Sequence, residues 1–234
     1  MGIVVNCLSL MLSALLIVYG ISFYIKNRGI ARRINLFIFL YCIFSALWCL
    51  CFGSIGLTDN LDNAEILRKI GDFAIVAFLV NEVFFVTNMF REKKKTIIVL
   101  RTVIVILGIV DFIFFSQTGV NLYVRVGNWT TWTSNPDFWF ARLIHFAFMA
   151  FGFVTAFTAG IVWAKNNTLK RQRSFIRLLF IANFLLLFFS IPDTVFPTLN
   201  LYGISTSGIG AARCSLVMLF AATKLNSFDV RMGN

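Results

Sequence analysis

The chain has 234 residues, of which 59% are hydrophobic and 13% are charged, and its mean hydropathy is +0.85. Soluble domains carry about a quarter charged residues, so this composition excludes a soluble globular protein and predicts one that resides in lipid. The formal net charge of +11 would indicate nucleic-acid binding in a soluble protein. Here the basic residues collect beside apolar stretches, where anionic lipid headgroups attract them, so no nucleic-acid partner is expected.

Seven apolar stretches follow one another along the chain, and each is close to the roughly 20 residues that a helix needs to cross a bilayer. They lie at residues 3–25, 34–57, 70–90, 97–116, 138–164, 178–198 and 208–224. The sequence therefore predicts an all-α fold, a polytopic bundle of seven transmembrane helices whose surroundings are the lipid bilayer. Residues 1–224 are expected to form one transmembrane domain. Residues 225–234 are expected to be a cytoplasmic tail or a truncated junction to an output domain.

Basic residues predict the orientation, because they collect on the cytoplasmic side of membrane proteins. Those beside the first, third and fifth connections are Lys26, Arg28, Arg32, Arg33, Arg91, Lys93, Lys94, Lys95, Lys165, Lys170, Arg171, Arg173 and Arg177. The other three connections hold only Arg68, Lys69 and Arg125. We therefore expect a multi-pass protein of the plasma (inner) membrane with its N-terminus outside and its C-terminus inside.

Small side chains spaced four residues apart mark helix faces on which two backbones can approach closely. Three spans carry such a series: Ser45, Cys49 and Gly53 in the second, Gly152, Ala156 and Gly160 in the fifth, and Ser207, Ala211 and Ser215 in the seventh. These positions are predicted to be helix contacts, and they carry no functional information by themselves.

The longest outer connection, residues 117–136, predicts a short β-hairpin between the fourth and fifth helices. Apolar residues alternate at Val120, Leu122, Val124 and Val126. Gly127 and Asn128 follow as a two-residue turn of the kind that joins antiparallel strands. Trp129 and Trp132 then have two interpretations, either an aromatic belt at the headgroup level or a lid over a cavity below.

Ionisable residues inside the spans are the main candidates for a functional site, because each is costly in lipid unless it is paired or faces water. Six of them lie at a similar depth in the outer half: Asp72, Asp111, Arg142, His145, Asp193 and Arg213. They predict an outward-opening polar pocket for a small-molecule ligand. A compatible alternative is that they pair with one another to fix helix register, for instance Arg142 with Asp111 or Arg213 with Asp193. Glu82 lies apart, near the middle of its span.

The end of the sixth span is unusual because Pro192 and Pro197 enclose Asp193. Two prolines five residues apart interrupt the hydrogen bonding of a helix and free backbone carbonyls. Asp193 is therefore predicted to change its contacts on activation. The alternative is an ordinary helix end with Asp193 at the surface.

Short motifs give the chain a resemblance to a known class of proteins. They are Asn35–Phe37, Ser45–Trp48, Arg68–Gly71, Asn135–Phe140 and Leu225–Val230. Together they resemble the N-terminal seven-helix sensor region of bacterial membrane histidine kinases and diguanylate cyclases. The resemblance implies signal input through the bundle, output through a cytoplasmic domain after the last helix, and a homodimer. It makes this chain either a truncated protein or a stand-alone relative.

Enzymatic functions are not supported by the sequence. His145 is the single histidine, which excludes the usual two-histidine metal sites, and a serine–histidine dyad would need Ser205, Ser207 or Ser215 to reach it. We expect no catalytic residues, no metal and no cofactor.

Two function classes remain. The first is a sensory receptor that binds a small molecule in the outer half and signals through the last helix. The second is a small transporter or channel subunit, for which Glu82 is the supporting feature. A transporter needs a polar path from Glu82 to the cytoplasmic side, whereas a receptor is expected to be tightly packed below it.

Overall fold

The structure is a computed structural model that describes residues 2–27, 32–88, 94–166, 170–199, 201–203 and 206–232. The main helices in these ranges are α1 (Gly2–Lys26), α2 (Arg32–Ile55), α3 (Leu61–Asn88), α4 (Lys94–Phe115), α5 (Trp139–Asn166), α6 (Lys170–Ser190) and α7 (Ser207–Met232). Strands β1 (Asn121–Val126) and β2 (Trp129–Ser134) lie between α4 and α5, followed by a 3-10 turn (Pro136–Phe138). The predicted helical fold with a short hairpin is confirmed at the level of its elements.

The helices α1 to α5 are long and apolar enough to cross a membrane. The apolar parts of α6 and α7 among the described residues, Arg177–Ser190 and Ser207–Thr223, are shorter. The structure thus supports a membrane protein with five candidate spans. The sixth and seventh crossings stay predictions.

The centre of the bundle is formed by α2 and α3. Helix α2 packs against α1, α3 and α7, while α3 also packs against α4 and α5. Their large side chains Tyr41, Trp48 and Phe78 are fully buried. Helices α1 and α4 instead direct apolar residues such as Met11 and Ile98 outward. An exposed apolar surface of this extent fits a helix that faces lipid.

Helix α3 begins earlier than the apolar pattern predicts. The span was expected from residue 70, but α3 starts at Leu61, where Asn60 caps it. The Asn60 side-chain oxygen accepts hydrogen bonds from the backbone N–H groups of Asp62 and Asn63, at 2.8 and 3.2 Å. This N-cap satisfies the free amides of the first turn. Arg68, predicted from the sequence to lie in a connection, is therefore within α3, and it is buried.

The predicted small-residue series lie at helix contacts. On α2, Ser45 bonds to Ser215 of α7 with the two hydroxyl oxygens 2.7 Å apart. The Cys49 thiol donates to the Gly208 carbonyl at 2.9 Å. We call this contact the α2–α7 seam. It continues at the end of the bundle where Trp48 Nε1 donates to the Ser207 hydroxyl at 3.1 Å.

The hairpin is confirmed with the predicted turn. Strands β1 and β2 pair antiparallel, and Val126 lies opposite Trp129, so Gly127 and Asn128 form the two-residue connection. Gly127 has a φ of +61°, the left-handed region that glycine adopts without strain. The turn chemistry read from the sequence therefore fixes the register of the two strands.

The hairpin closes one end of the bundle, which we call the hairpin end. Thr130 donates from its backbone N–H to the Gly56 carbonyl at 3.1 Å and from its hydroxyl to the Thr58 carbonyl at 2.6 Å. The Thr131 hydroxyl donates to the Gly203 carbonyl at 2.7 Å. Strand β2 is thus bonded on one side to the α2–α3 connection and on the other to the segment before α7.

Helix α6 does not simply end at its prolines. It continues through a π-helical turn, Ile191–Val195, and a short helical turn, Phe196–Thr198. A π-turn accommodates residues that cannot form the regular hydrogen bonds of an α-helix. The backbone of Asp193 lies in this turn, and its side chain is outside the described residues.

Candidate functional site: the charged cluster at the hairpin end

A cavity of about 40 Å³ lies beneath the hairpin. Its polar lining comes from Asp72, Asn121, Arg142, His145, Ser190 and Ser207, and its aromatic lining includes Trp132 and Phe115. A volume of this size holds about three or four waters at roughly 10–15 Å³ for each. We call its ionisable lining residues Asp72, Arg142 and His145, together with the ion-pair partners Arg68 and Asp111, the outer cluster.

Arg68 is the most highly bonded residue of the outer cluster, and its side chain is fully buried. Its Nη1 donates to Asp72 Oδ2 at 2.6 Å and to the Phe115 carbonyl. Its Nη2 donates to Glu65 at 2.7 Å and to the Gln117 carbonyl at 2.8 Å, while Nε donates to the second Glu65 oxygen at 3.3 Å. A guanidinium has five N–H groups, so Arg68 has none left for a ligand. Its role is to join α3 to the end of α4.

His145 on α5 pairs with Asp111 on α4. The Nδ1 atom lies 3.1 Å from each carboxylate oxygen, and both side chains are buried. The imidazole also stacks on the Phe115 ring, with ring centroids 4.1 Å apart and an interplanar angle of 11°. Asp111 is therefore the partner of His145, and the pair of Asp111 with Arg142 that was predicted as one alternative does not form.

Arg142 binds the base of the hairpin. Its Nη2 donates to Asn121 Oδ1 at 2.5 Å and to the Val120 carbonyl at 3.1 Å. Its Nε is buried without a partner among the described residues, and so is Oδ1 of Asp72. Both residues line the cavity. The outer cluster therefore contains one unused donor and one unused acceptor, on two residues that line the same cavity.

Phe115 organises the cluster, although it was not among the predicted site residues. Three cationic or ionisable groups surround its ring: His145 stacks on it, while the guanidinium carbons of Arg142 and Arg68 lie 5.7 and 5.9 Å from its centroid. An aromatic face attracts cations at such distances. The signal in the sequence was spacing, because Phe115 lies four residues after Asp111 and shares its helix face.

The hairpin contributes two aromatic side chains above the cavity. Trp132 is buried and lines it, and its indole packs against Phe52 with ring centroids 6.1 Å apart. Trp129 is half-buried at the N-terminus of α1, where its ring leaves no room for a Cβ on Gly2. Burial raises the pKa of the Tyr123 phenol on β1, so this group stays neutral.

The structure brings together four of the six residues predicted for the outer pocket: Asp72, Asp111, Arg142 and His145. Arg213 does not join them, because it is exposed and its guanidinium carbon lies 4.6 Å from the ring of Phe189. The predicted contacts of Asp193 fall outside the described residues.

Glu82 lies ten residues beyond Asp72 on α3, about 15 Å deeper at a rise of 1.5 Å per residue. It is fully buried. It therefore belongs to a second location and not to the outer cluster.

Comparisons with protein-family models, with curated proteins and with solved structures give no match. The resemblance to kinase and cyclase sensor regions thus stays a prediction from the motifs.

Proposed function

We propose that this protein is a membrane receptor module that binds a small hydrogen-bonding or zwitterionic molecule in the outer cluster. The observation that carries this proposal is the pair of unused buried groups, Arg142 Nε and Asp72 Oδ1, at one cavity. A buried polar atom without a partner is costly, so a ligand that carries both an acceptor and a donor gains by meeting both atoms. The hairpin end is the extracellular side in this proposal, as the basic residues predict.

The size of the cavity limits the ligand. Sites for drug-sized molecules have volumes of roughly 300 Å³ or more, whereas this one has about 40 Å³. A ligand larger than a few atoms needs the hairpin to move. The bonds that would open are those of Thr130 to Gly56 and Thr58, and that of Thr131 to Gly203.

The α2–α7 seam offers a route from the cavity to the other end of the bundle. Trp48 and Ser207 line the cavity and bond to each other. Further along α7, the Ser215 hydroxyl contacts Ser45 and donates to the Tyr41 carbonyl at 3.2 Å. A ligand that binds more tightly to one arrangement of this seam shifts the position of α7. The resemblance adds a cytoplasmic output domain and a homodimer as further expectations.

The packing below Glu82 favours a receptor over a transporter. Asn81 Nδ2 donates to the Phe37 carbonyl at 3.0 Å, and the Thr87 hydroxyl donates to the Val83 carbonyl at 2.6 Å. Phe37 also packs against Phe85, with ring centroids 6.1 Å apart. Among the described residues, this region shows closed hydrogen bonds and aromatic packing, whereas a transport path needs free polar groups.

The test is a thermal-shift screen of the purified protein with small zwitterions, with glycine and betaine as matched probes. Both probes carry a carboxylate, but betaine has no N–H group to donate to Asp72. We expect stabilisation by the probe that can donate, and weaker binding to the variants Arg142→Gln and Asp72→Asn. One charge-assisted hydrogen bond contributes about 1.5–3 kcal/mol, so each variant should lose about tenfold to a hundredfold in affinity.

Arg125→Gln is the matched control, because Arg125 is an exposed hairpin arginine that pairs with Asp59 far from the cavity. Its affinity for the probe should equal that of the wild type. Equal stabilisation of the wild type, Arg142→Gln and Asp72→Asn would show that the outer cluster is not the binding site.

A further inference from the structure

The middle of the bundle contains a carboxyl group that has no counter-ion within the part of the chain that the structure describes. Glu82 is 0% exposed, and neither of its carboxylate oxygens accepts a hydrogen bond from a described residue. An ionised carboxylate in the middle of a membrane bundle is retained only when it is paired or has a task. Glu82 differs in this respect from Asp111, whose two oxygens both contact His145.

Tyr41 of α2 covers the face of α3 that carries Glu82. Its ring packs edge-on against Phe78 and Phe85, with centroids 5.0 and 5.8 Å away. These two phenylalanines lie four residues before and three residues after Glu82, so all three share one helix face. The Tyr41 hydroxyl is buried without a partner among the described residues and lies within electrostatic reach of Glu82.

Asn183 of α6 faces the same carboxyl group. One N–H of its amide nitrogen donates to the Leu179 carbonyl at 3.1 Å and the second N–H remains, while its oxygen Oδ1 has no partner among the described residues. The approach of Asn183 to Glu82 falls short of a hydrogen bond, since both Glu82 oxygens are unbonded as well. We call Tyr41, Glu82 and Asn183 the inner cluster.

The other titratable groups around Glu82 are few. Cys214 of α7 is within electrostatic reach of Glu82, and Cys42 of α2 lies behind it. Arg101 of α4 is further along the bundle, where it donates to the Thr87 hydroxyl at 2.9 Å and to the Phe84 carbonyl at 3.3 Å. On the side of α5, Gly152 lies against the aliphatic side chain of Leu79 on α3. None of these described groups supplies a positive charge to Glu82.

Counting donors and acceptors identifies what is missing. The inner cluster has four unbonded oxygens, two on Glu82 and one each on Tyr41 and Asn183, and it has two donors for them, the O–H of Tyr41 and the second N–H of Asn183. With Glu82 ionised, these donors can meet the carboxylate oxygens, but the Asn183 oxygen stays unbonded and no described cation offsets the buried charge. One added proton resolves this, because protonated Glu82 donates to Asn183 while its other oxygen accepts from Tyr41.

We propose that Glu82 is a proton-binding site inside the bundle, with Asn183 and Tyr41 as its positioning residues. Binding the proton converts the carboxylate to the neutral acid and joins α3 to α6 and to α2. Release of the proton leaves a charge that draws water between these helices. The backbone carbonyl of Tyr41 accepts from Ser215, so the same residue connects the proton site to the α2–α7 seam. This proposal does not rest on the outer cluster.

The test is infrared spectroscopy of the purified protein across a pH titration. A protonated carboxylic acid has a carbonyl stretching band that an ionised carboxylate lacks. We expect such a band in the wild type, its loss in Glu82→Gln, and its retention in Asp62→Asn, which changes an exposed carboxyl on the same helix. Tyr41→Phe and Asn183→Leu should each shift the frequency of the band, because each removes one of its two hydrogen bonds.

The shifts in Tyr41→Phe and Asn183→Leu keep the test decisive if Glu82→Gln fails to fold, since both variants retain the carboxyl group. A band that persists unchanged in Glu82→Gln would overturn the proposal. It would also be overturned by a band that responds to sodium concentration at constant pH, which would identify a metal cation as the bound species. Thermal-shift experiments with glycine probe the outer cluster separately, so failure of one proposal leaves the other standing.

Discussion

The outer cluster and the inner cluster are both buried and both polar, yet they differ in how completely their groups are bonded. In the outer cluster Arg68 uses all five of its N–H groups, and Asp111 contacts His145 through both oxygens. In the inner cluster Glu82 has no partner among the described residues. The carboxylates Asp72 and Asp111 therefore each have a cationic or ionisable partner, whereas Glu82 has none among the described residues.

This difference separates the carboxylates that Arg68 and His145 neutralise from the carboxyl of Glu82, which has no described cation beside it. A bonded charge pair holds helices in register, and breaking it leaves the remaining partner buried without compensation. An unbonded carboxyl has no such partner to lose. Removing a charge should therefore lower the free energy of unfolding in the outer cluster and leave it nearly unchanged in the inner cluster.

The largest expected effect is that of Arg68→Met, which removes the centre of the outer cluster. Met has a similar length but no donors, so Glu65 and Asp72 lose their counter-ion and two backbone carbonyls lose a donor. Breaking a buried ion pair on one side costs about 3–5 kcal/mol. We expect a loss of this size in the free energy of unfolding, measured by reversible denaturation in detergent micelles.

Lys69→Met is the matched control for Arg68→Met. Lys69 is the next residue on α3, and its exposed amino group donates to the Thr118 hydroxyl at 2.8 Å. A surface bond of this kind contributes little, so the change should stay within about 0.5 kcal/mol. Equal effects of the two substitutions would mean that the burial of Arg68 does not hold α3 and α4 together.

The sharpest comparison is between Asp111→Asn and Glu82→Gln, because both convert an acid to its amide. Asp111→Asn should cost about 1.5–3 kcal/mol, since His145 loses a charged partner. Glu82→Gln should be neutral or stabilising, because the amide can donate to Asn183 and accept from Tyr41. The measurement is the free energy of unfolding of both variants at one pH. A larger loss in Glu82→Gln than in Asp111→Asn would mean that Glu82, and not Asp111, is the carboxyl group with a stabilising partner.

The sequence predicted the elements well because their signals are local. Apolar length predicted the helices, and Gly127 with Asn128 predicted the hairpin turn. The start of α3 was wrong because a helix begins where a cap satisfies its free amides, here at Asn60, and not where hydrophobicity rises. Because of that error, Arg68 was predicted to lie in a connection, and the most highly bonded residue of the site was not among the predicted site residues.

Pairing within the site was not predictable from depth. Asp111, Arg142 and His145 lie at similar depths, but which two meet depends on the rotation of α4 against α5. Arg142 instead donates to Asn121 at the base of the hairpin. Helical periodicity does not predict the position of this segment relative to α5. Arg213 has the right depth but the wrong face. Sequence spacing thus identified the level of the cluster and left its partners open.

A smaller effect is expected where the hairpin meets the segment before α7. A Cβ at Gly203 would lie 2.6 Å from the Trp132 indole, which is buried, whereas a Cβ at Gly152 would be 3.5 Å from its nearest neighbour. Gly203→Ala should cost about 1–2 kcal/mol through overpacking, and Gly152→Ala should be tolerated. Hydrogen exchange of residues 129–134 should increase in Gly203→Ala alone. Unchanged exchange there would mean that Trp132 yields without moving β2.

The smallest expected effect is that of Gly127→Ala at the tip of the hairpin. No atom lies within 4 Å of a Cβ at this position, so only the backbone conformation opposes the substitution. A residue with a side chain at a φ of +61° costs about 1 kcal/mol. Gly127→Asn is the control, because asparagine adopts the left-handed region more readily than alanine. Faster amide exchange in β1 and β2 of Gly127→Ala, with near wild-type exchange in Gly127→Asn, would show that turn conformation alone sets how readily the hairpin opens over the outer cluster. If both variants exchange equally fast, the hydrogen bonds of Thr130 and Thr131 must control that opening instead.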